Sequence, residues 1–322
     1  MSNESQLDVS SLEGRSVLIT GGAAGIGLAC ATVIAQAGAL VTIADLQQTA
    51  RLAAAQDLTA KGYKVQSVQC DVSSYAALVY SFQQAILFGG GKIDVVIPCA
   101  GVIPASEENL FDMIPKDSPT LDSPPPPQPG YRGCEVNLQA VYNTCYLAIH
   151  YFRLQSASDY RPSIIFVASL AAYVGFPSSG TYSTSKFGVR GLFYGIRDRA
   201  ARESPAVRVN LVAPWYIDTA MTRQEGFLAS EAGLLLKVMG FAPMERVTAA
   251  VLQFAANEKL LGRAAGVFPL GNEDLGDDFE GAFGGVVLEK HMSDILMKAT
   301  KHMEAEQSEL ARTDSATGAI AE

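Results

Sequence analysis

The sequence predicts an α/β fold: one doubly wound, seven-stranded parallel sheet with helices on both faces, followed by a C-terminal helical extension. Three observations predict it. Short β-branched runs alternate with longer stretches of helical composition along most of the 322 residues. The strand runs are apolar at consecutive positions, as buried parallel strands require, and do not alternate with polar residues. The first of them runs into a glycine-rich turn that opens a helix.

In order, Val17–Thr20 reads as a strand, Ile26–Ala37 as a helix stopped by Gly38, and Leu40–Ala44 as the second strand. Gln47–Lys61 is helical, Val65–Cys70 a strand, Tyr75–Leu87 helical and Ile93–Pro98 a strand. The rhythm then breaks over Pro104–Arg132, whose prolines at 124–127 and 129 exclude helix and central strand and imply a surface loop of polyproline character. It resumes with a helix over Val136–Arg153, a strand Ser163–Ala168, a helix Thr181–Arg199, a strand Val207–Val212, a helix Arg246–Asn257 and a last strand Gly266–Leu270. One domain over residues 12–271 follows, with 104–132 as an insertion and 272–322 as an extension. In the extension, Val286–Leu310 has a helical apolar stripe and the last dozen residues are small, polar and expected to be disordered.

Composition narrows the function. Hydrophobic residues at 48% and charged residues at 18% support a sizeable core, and a net charge of −9 gives no general attraction to phosphate backbones or acidic membranes. No nucleic-acid or membrane partner is expected. The five cysteines (Cys30, Cys70, Cys99, Cys134, Cys145) are scattered without a Cys-x-x-Cys pair, which predicts reduced thiols, and the three dispersed histidines suggest no metal site. Met1–Val9 lacks the basic and apolar regions of a secretory signal, and Leu28–Ile43 is too short to span a bilayer. These readings predict a cytoplasmic protein.

Two patterns carry chemistry. Thr20-Gly21-Gly22-Ala23-Ala24-Gly25-Ile26-Gly27 lies between the first strand and the first helix. Gly21 and Gly25 would let the backbone approach a diphosphate, Gly27 would let helix and strand pack closely, and the helix N-terminus offers N–H groups and partial positive charge. Asp45 ends the second strand, 18 residues beyond Gly27, where a carboxylate would accept hydrogen bonds from adenosine ribose hydroxyls and repel a 2′-phosphate. Its neighbours Ala24 and Leu46 are uncharged, which favours NAD over NADP; the plain alternative is a solvated turn aspartate. In the second half, Tyr182 and Lys186 stand four residues apart on a helix, and Ser169 precedes Tyr182 by thirteen residues at the end of a strand.

With these residues the chain resembles the short-chain dehydrogenase/reductase family over about residues 12–271, which implies a Rossmann-type sheet. Thr20 through Gly27 match its glycine loop, and Asp71-Val72 its Asp-Val pair, whose acid faces the adenine. Asn137 matches the asparagine before the serine strand, and Ser169, Tyr182 and Lys186 match the catalytic group. Asn210 through Thr219 resemble the family's Pro-Gly stretch, with Ile217 and Thr219 at the nicotinamide end. The resemblance makes Thr20, Gly21, Gly25, Ile26, Gly27, Asp45, Leu46, Asp71, Val72, Ala100, Gly101, Tyr182, Lys186, Ile217 and Thr219 the cofactor-binding residues, and NAD the cofactor. Two departures stand out. The family's Asn-Asn-Ala-Gly is Pro98-Cys99-Ala100-Gly101, and its Pro-Gly is Pro214-Trp215. Trp215 has two readings, a packing residue at the sheet edge or a contact to substrate.

The resemblance implies that Tyr182 exchanges a proton with the substrate oxygen while hydride moves to or from the nicotinamide. A free phenol has a pKa near 10, and a neighbouring cation is worth about 1–3 units, so Lys186 would favour phenolate. Ser169 would hold the substrate oxygen, and Asn137 a water linking Lys186 to solvent. Apolar residues over Asp218–Met244, with Tyr173, Val174 and Phe176 as a second wall, suggest a hydrophobic secondary alcohol or its ketone. The proline-rich loop and the tryptophan resemble fungal secondary-metabolism NAD-dependent alcohol dehydrogenases of the hydroxyaverantin dehydrogenase type. A homodimer or homotetramer through the helices carrying Asn137 and Tyr182 is expected by the same resemblance. The competing readings are a non-redox enzyme on this fold and a nucleotide-binding scaffold.

Overall fold

The computed structural model of the chain describes residues 7–103, 110–116, 118–155, 160–174, 180–223, 236 and 240–275. The chain divides into two compact units, Met1–Asp274 and Leu275–Glu322. The expected helix over Val286–Leu310 and the tail after it lie outside the described residues.

In the first unit the strands are β1 (Ser16–Thr20), β2 (Leu40–Asp45), β3 (Val65–Gln69), β4 (Val95–Pro98), β5 (Ser163–Val167), β6 (Arg208–Pro214), β7 (Ala264–Val267) and β8 (Asn272–Asp274). They form one eight-stranded sheet in the order β3-β2-β1-β4-β5-β6-β7-β8. The principal helices are α1 (Gly25–Gln36), α2 (Gln48–Ala60), α3 (Tyr75–Phe88), α4 (Ala140–Tyr151), α5 (Gly180–Ala200) and α6 (Met244–Ala256). All strand pairs are parallel except the last. The chain reverses its direction of winding between β1 and β4, where a crevice opens at the carboxyl edge of such a sheet.

Two-sided burial explains the unbroken apolar runs. In β1, Val17 and Ile19 join a core that includes Cys30 and Ile34 of α1 and Val247, Val251 and Phe254 of α6. Successive side chains point to opposite faces, so Leu18 belongs to the other layer, where Phe166 of β5 meets Phe193 of α5 with ring centroids 6.4 Å apart. Each such buried side chain contributes about 1.5–3 kcal/mol.

The count of seven strands is corrected to eight. The last strand begins earlier than expected, at Ala264, and the chain turns at Phe268–Gly271, where the Phe268 N–H donates to the Gly271 carbonyl at 2.9 Å. Asn272–Asp274 then returns antiparallel along β7, pairing Val267 with Asn272 and Ala265 with Asp274. Side chains rather than apolar burial hold this return. Arg263 pairs with Asp274 at 2.5 Å, and Asn272 donates to the Arg246 carbonyl at 2.8 Å. The helix expected over Val136–Arg153 is also subdivided: Arg132–Cys134 is a short helical turn, Glu135–Gln139 a π-helical turn, and only then does α4 begin. Of the insertion, residues 118–131 run without helix or strand and lie mostly exposed.

Candidate active site

Six of the strands deliver their following residues to the same sheet edge. Asp45 ends β2, while Asp71 follows from β3, the glycine loop from β1, Cys99-Ala100-Gly101 from β4, Ser169 from β5 and Trp215 from β6. At the centre of this edge Thr20 Oγ1 accepts the N–H groups of Cys99 at 3.2 Å and Ala100 at 3.4 Å, joining the β1 and β4 loops.

The glycine loop is built for close approach. Gly21 has φ +67°, and a Cβ there would lie 2.6 Å from the Ala100 Cα; a Cβ on Gly27 would lie 2.1 Å from the Gly21 carbonyl oxygen. Helix α1 starts at Gly25 behind Ala24, which gives it no side-chain cap, so its first-turn N–H groups are offered to a ligand. Asp45 braces this loop: Oδ2 accepts the Ala23 N–H at 3.0 Å and Oδ1 the Gln47 N–H at 2.9 Å. A carboxylate has lone pairs left over for two hydroxyls. Leu46 beside it is 48% exposed. The Gly25 position faces the Thr219 side chain, which brings the segment after β6 over the loop. These features fit a dinucleotide: uncapped helical N–H groups for its diphosphate and a carboxylate for its ribose.

Farther along the edge, Asp71 accepts Ser73 Oγ at 2.6 Å and Ser73 N–H at 3.0 Å and pairs with Arg132 at 3.7 Å. The serine bonds, with Arg132 adding to them, hold its carboxyl below the usual carboxylate range. Val72 is buried beside it. Ile217 is buried and bridges to Ala242, while Thr219 donates its N–H to Thr222 Oγ1 at 3.1 Å.

The proton-handling group lies on α5 and the strand it covers. Lys186 is buried, with its Nζ 5.5 Å from the Tyr182 ring centroid and donating to the Val167 carbonyl at 3.3 Å. Burial lowers its pKa from 10.5 to about 8. Tyr182 is half-buried. Ser169 caps the short turn Leu170–Ala172, and its Oγ accepts the Ala171 N–H at 3.1 Å. A hydroxyl that accepts this way keeps its own proton to donate. Asn137 sits in the π turn, fully buried. Its side chain exchanges both amide bonds with Val102, at 2.8 and 2.9 Å, and donates to Ser185 Oγ at 3.3 Å. Ser185 in turn donates to the Tyr182 carbonyl at 2.7 Å. The structure thus ties Val102, Asn137, Ser185 and the Tyr182 backbone carbonyl into one network, with Gly101 against Asn137: a Cβ there would lie 3.4 Å from Asn137 Oδ1.

Several placements go beyond the sequence reading. Cys99, at the lost asparagine, is close enough to Lys186 for each to influence the other's ionisation, and burial pushes its thiol up to about 12. Trp215 is half-buried, packs on the core, and donates Nε1–H to the Gly240 carbonyl at 3.0 Å. Of the expected apolar substrate wall, Leu236 is buried, whereas Phe227, Leu234, Leu235, Val238, Met239 and Phe176 lie outside the described residues. Tyr173 packs its ring against the Arg190 guanidinium, at 4.0 Å. The Ser185 link and the Arg132–Asp71 pair were missed. Their only sequence signals are a serine one residue before the lysine and an arginine five before Asn137.

The short chain dehydrogenase family model matches residues 15–226, and the chain belongs to that family. Among curated proteins it is 39% identical over 285 residues to a 5′-hydroxyaverantin dehydrogenase of Dothistroma septosporum, covering 87% of this chain and 92% of that protein. It is 36% identical over 286 residues to the 5′-hydroxyaverantin dehydrogenase stcG of Emericella nidulans, covering 86% and 92%. The NADP-dependent dehydrogenase clz5 of Cochliobolus lunatus is 35% identical over 232 residues, covering 68% and 78%. Among solved structures, that of gox2181 superposes with a TM-score of 0.68 at 26% identity, covering 81% of this chain and 96% of that one. The chain is thus similar to fungal dehydrogenases of secondary metabolism.

Proposed function

We propose that this protein is a NAD-dependent oxidoreductase that interconverts a hydrophobic secondary alcohol and its ketone in secondary-metabolite biosynthesis. The observation that carries the reading is Lys186, a buried cation one helical turn from Tyr182 and anchored on the Val167 carbonyl two residues before Ser169. A bound nicotinamide would supply the hydride acceptor. Ser169 donates its hydroxyl proton to the substrate oxygen and holds it. Tyr182, as phenolate beside the Lys186 charge, takes the hydroxyl proton as the carbon gives up hydride, and returns it to the oxygen in the reverse direction. Asn137 fastens the Val102 loop to the helix carrying Tyr182 through Ser185.

Asp45 supports NAD, since its carboxylate faces the end of the loop where a 2′-phosphate would bring like charge. The two relatives named 5′-hydroxyaverantin dehydrogenases support a hydroxyl-bearing secondary metabolite as the substrate, and buried Leu236 agrees with an apolar wall. Tyr142 and Tyr146, exposed one turn apart on α4, support pairing into a homodimer or homotetramer.

The test is turnover of a panel of hydrophobic secondary alcohols, followed as NADH absorbance. Tyr182→Phe is expected to lower kcat at least about 100-fold, with dinucleotide affinity nearly unchanged. A variant that keeps its kcat removes Tyr182 from the proton path.

A further inference from the structure

Ser169 stands between two carbonyls that α5 holds. Lys186 donates to Val167 O at 3.3 Å, two residues before the serine. One helical turn along the same face, Arg190 donates Nη1–H to Ala172 O at 2.9 Å, three residues after it. The Arg190 guanidinium also lies 4.0 Å from the Tyr173 ring centroid and 5.4 Å from that of Tyr194. A planar guanidinium can donate in its plane while its face stacks flat on a phenol; an ammonium has no such face and fewer donors to spread between carbonyl and ring.

We infer that Arg190 is a positioning residue for the proposed reaction: paired with Lys186, it staples the turn carrying Ser169 to the helix carrying Tyr182 and so sets where the serine hydroxyl stands. The role rests on the function proposed above. The turn needs such a staple because Leu170–Ala172 is a single 3₁₀ turn, with little cooperativity of its own. Ser169 Oγ is locked to that turn through the Ala171 N–H, so any shift of the turn moves the hydroxyl with it. A displacement of about 1 Å at a reacting group costs on the order of 100-fold in rate.

A double-mutant cycle in the full chain, at saturating dinucleotide, tests this. Arg190→Met is expected to lower kcat about tenfold or more while leaving the KM for dinucleotide within about twofold. In a Ser169→Ala background the same change is expected to alter kcat by less than about twofold, because the group it positions is gone. Arg190→Lys, which keeps one donor but not the stack, falls between. An unchanged kcat in Arg190→Met, or an equal fold loss with and without Ser169, overturns the role. Should Arg190→Met fail to fold, Tyr173→Leu removes the ring beneath the guanidinium. Its loss of kcat is expected to vanish in the Ser169→Ala background, and a loss that persists there is equally decisive against the role. Wild type that turns over no alcohol with either dinucleotide overturns the function and this role together. Active wild type matched by Arg190→Met overturns this role alone.

Discussion

The ammonium of Lys186 is kept where water barely reaches it, and its proton is held only to about pH 8. The unfolded chain keeps that proton up to about 10.5. Between those values the unfolded state binds more protons, so this group's contribution makes stability rise with pH there, and below pH 8 the full cost of burying the charge is present. Lys186→Met is expected to abolish turnover yet stabilise the protein by about 1–3 kcal/mol at pH 7, a gain that shrinks as pH approaches 10. Urea denaturation at the two pH values measures it; a destabilised variant at pH 7 would mean that the Val167 bond outweighs desolvation. Asp45 is the opposite case, a carboxylate only partly buried at the glycine loop, where the proposed function sets it against the cofactor's ribose. Asp45→Ala is expected to raise the NADP-to-NAD ratio of kcat/KM about tenfold or more, the effect of removing one like charge worth about 1.4 kcal/mol. An unchanged ratio sinks the ribose contact.

Arg208 of β6 shows how one side chain fastens a helix. It is fully buried and donates to the carbonyls of Ala255 and Asn257 at the end of α6, at 2.9 and 3.3 Å, and to Tyr160 Oη at 2.8 Å. These carbonyls have no partner within their helix, and a cation there also complements its dipole. Arg208→Met is expected to cost about 1–3 kcal/mol, read as a lowered urea midpoint, since the buried Phe254 carbonyl, which accepts Arg208 Nη1–H at 2.5 Å, loses that donor. A midpoint unchanged within error would show that α6 is held by its apolar face alone. The sequence marked α6 by its helical composition but could not mark this arginine, whose partners here lie 47 or more residues away. The π turn at Asn137 was illegible for the same reason: the partner of its asparagine is Val102, 35 residues earlier. Local pattern carried β1 to β6 and their helices, because buried parallel strands announce themselves by composition. It missed β8, a polar strand held by Arg263 and Arg246.

For the molecule as a whole, strand order converts distant motifs into one crevice. The glycine loop, Asp45 and Ser169 could be named because each lies at a recognisable strand end, and Tyr182 and Lys186 because they stand four residues apart on the helix that follows Ser169. Their convergence is a property of the order β3-β2-β1-β4-β5-β6, which no single motif contains. What spacing could not supply were the cross-links between motifs: Ser185 to Asn137, Arg132 to Asp71 and Arg190 to Ala172. The contact between Gly27 and the Gly21 carbonyl has a thermodynamic consequence. With the loop wedged against its own helix, the donors for a diphosphate are already aimed when the chain folds. A dinucleotide arriving there meets a rigid cradle, and little of its binding free energy is diverted into ordering the peptide that receives it.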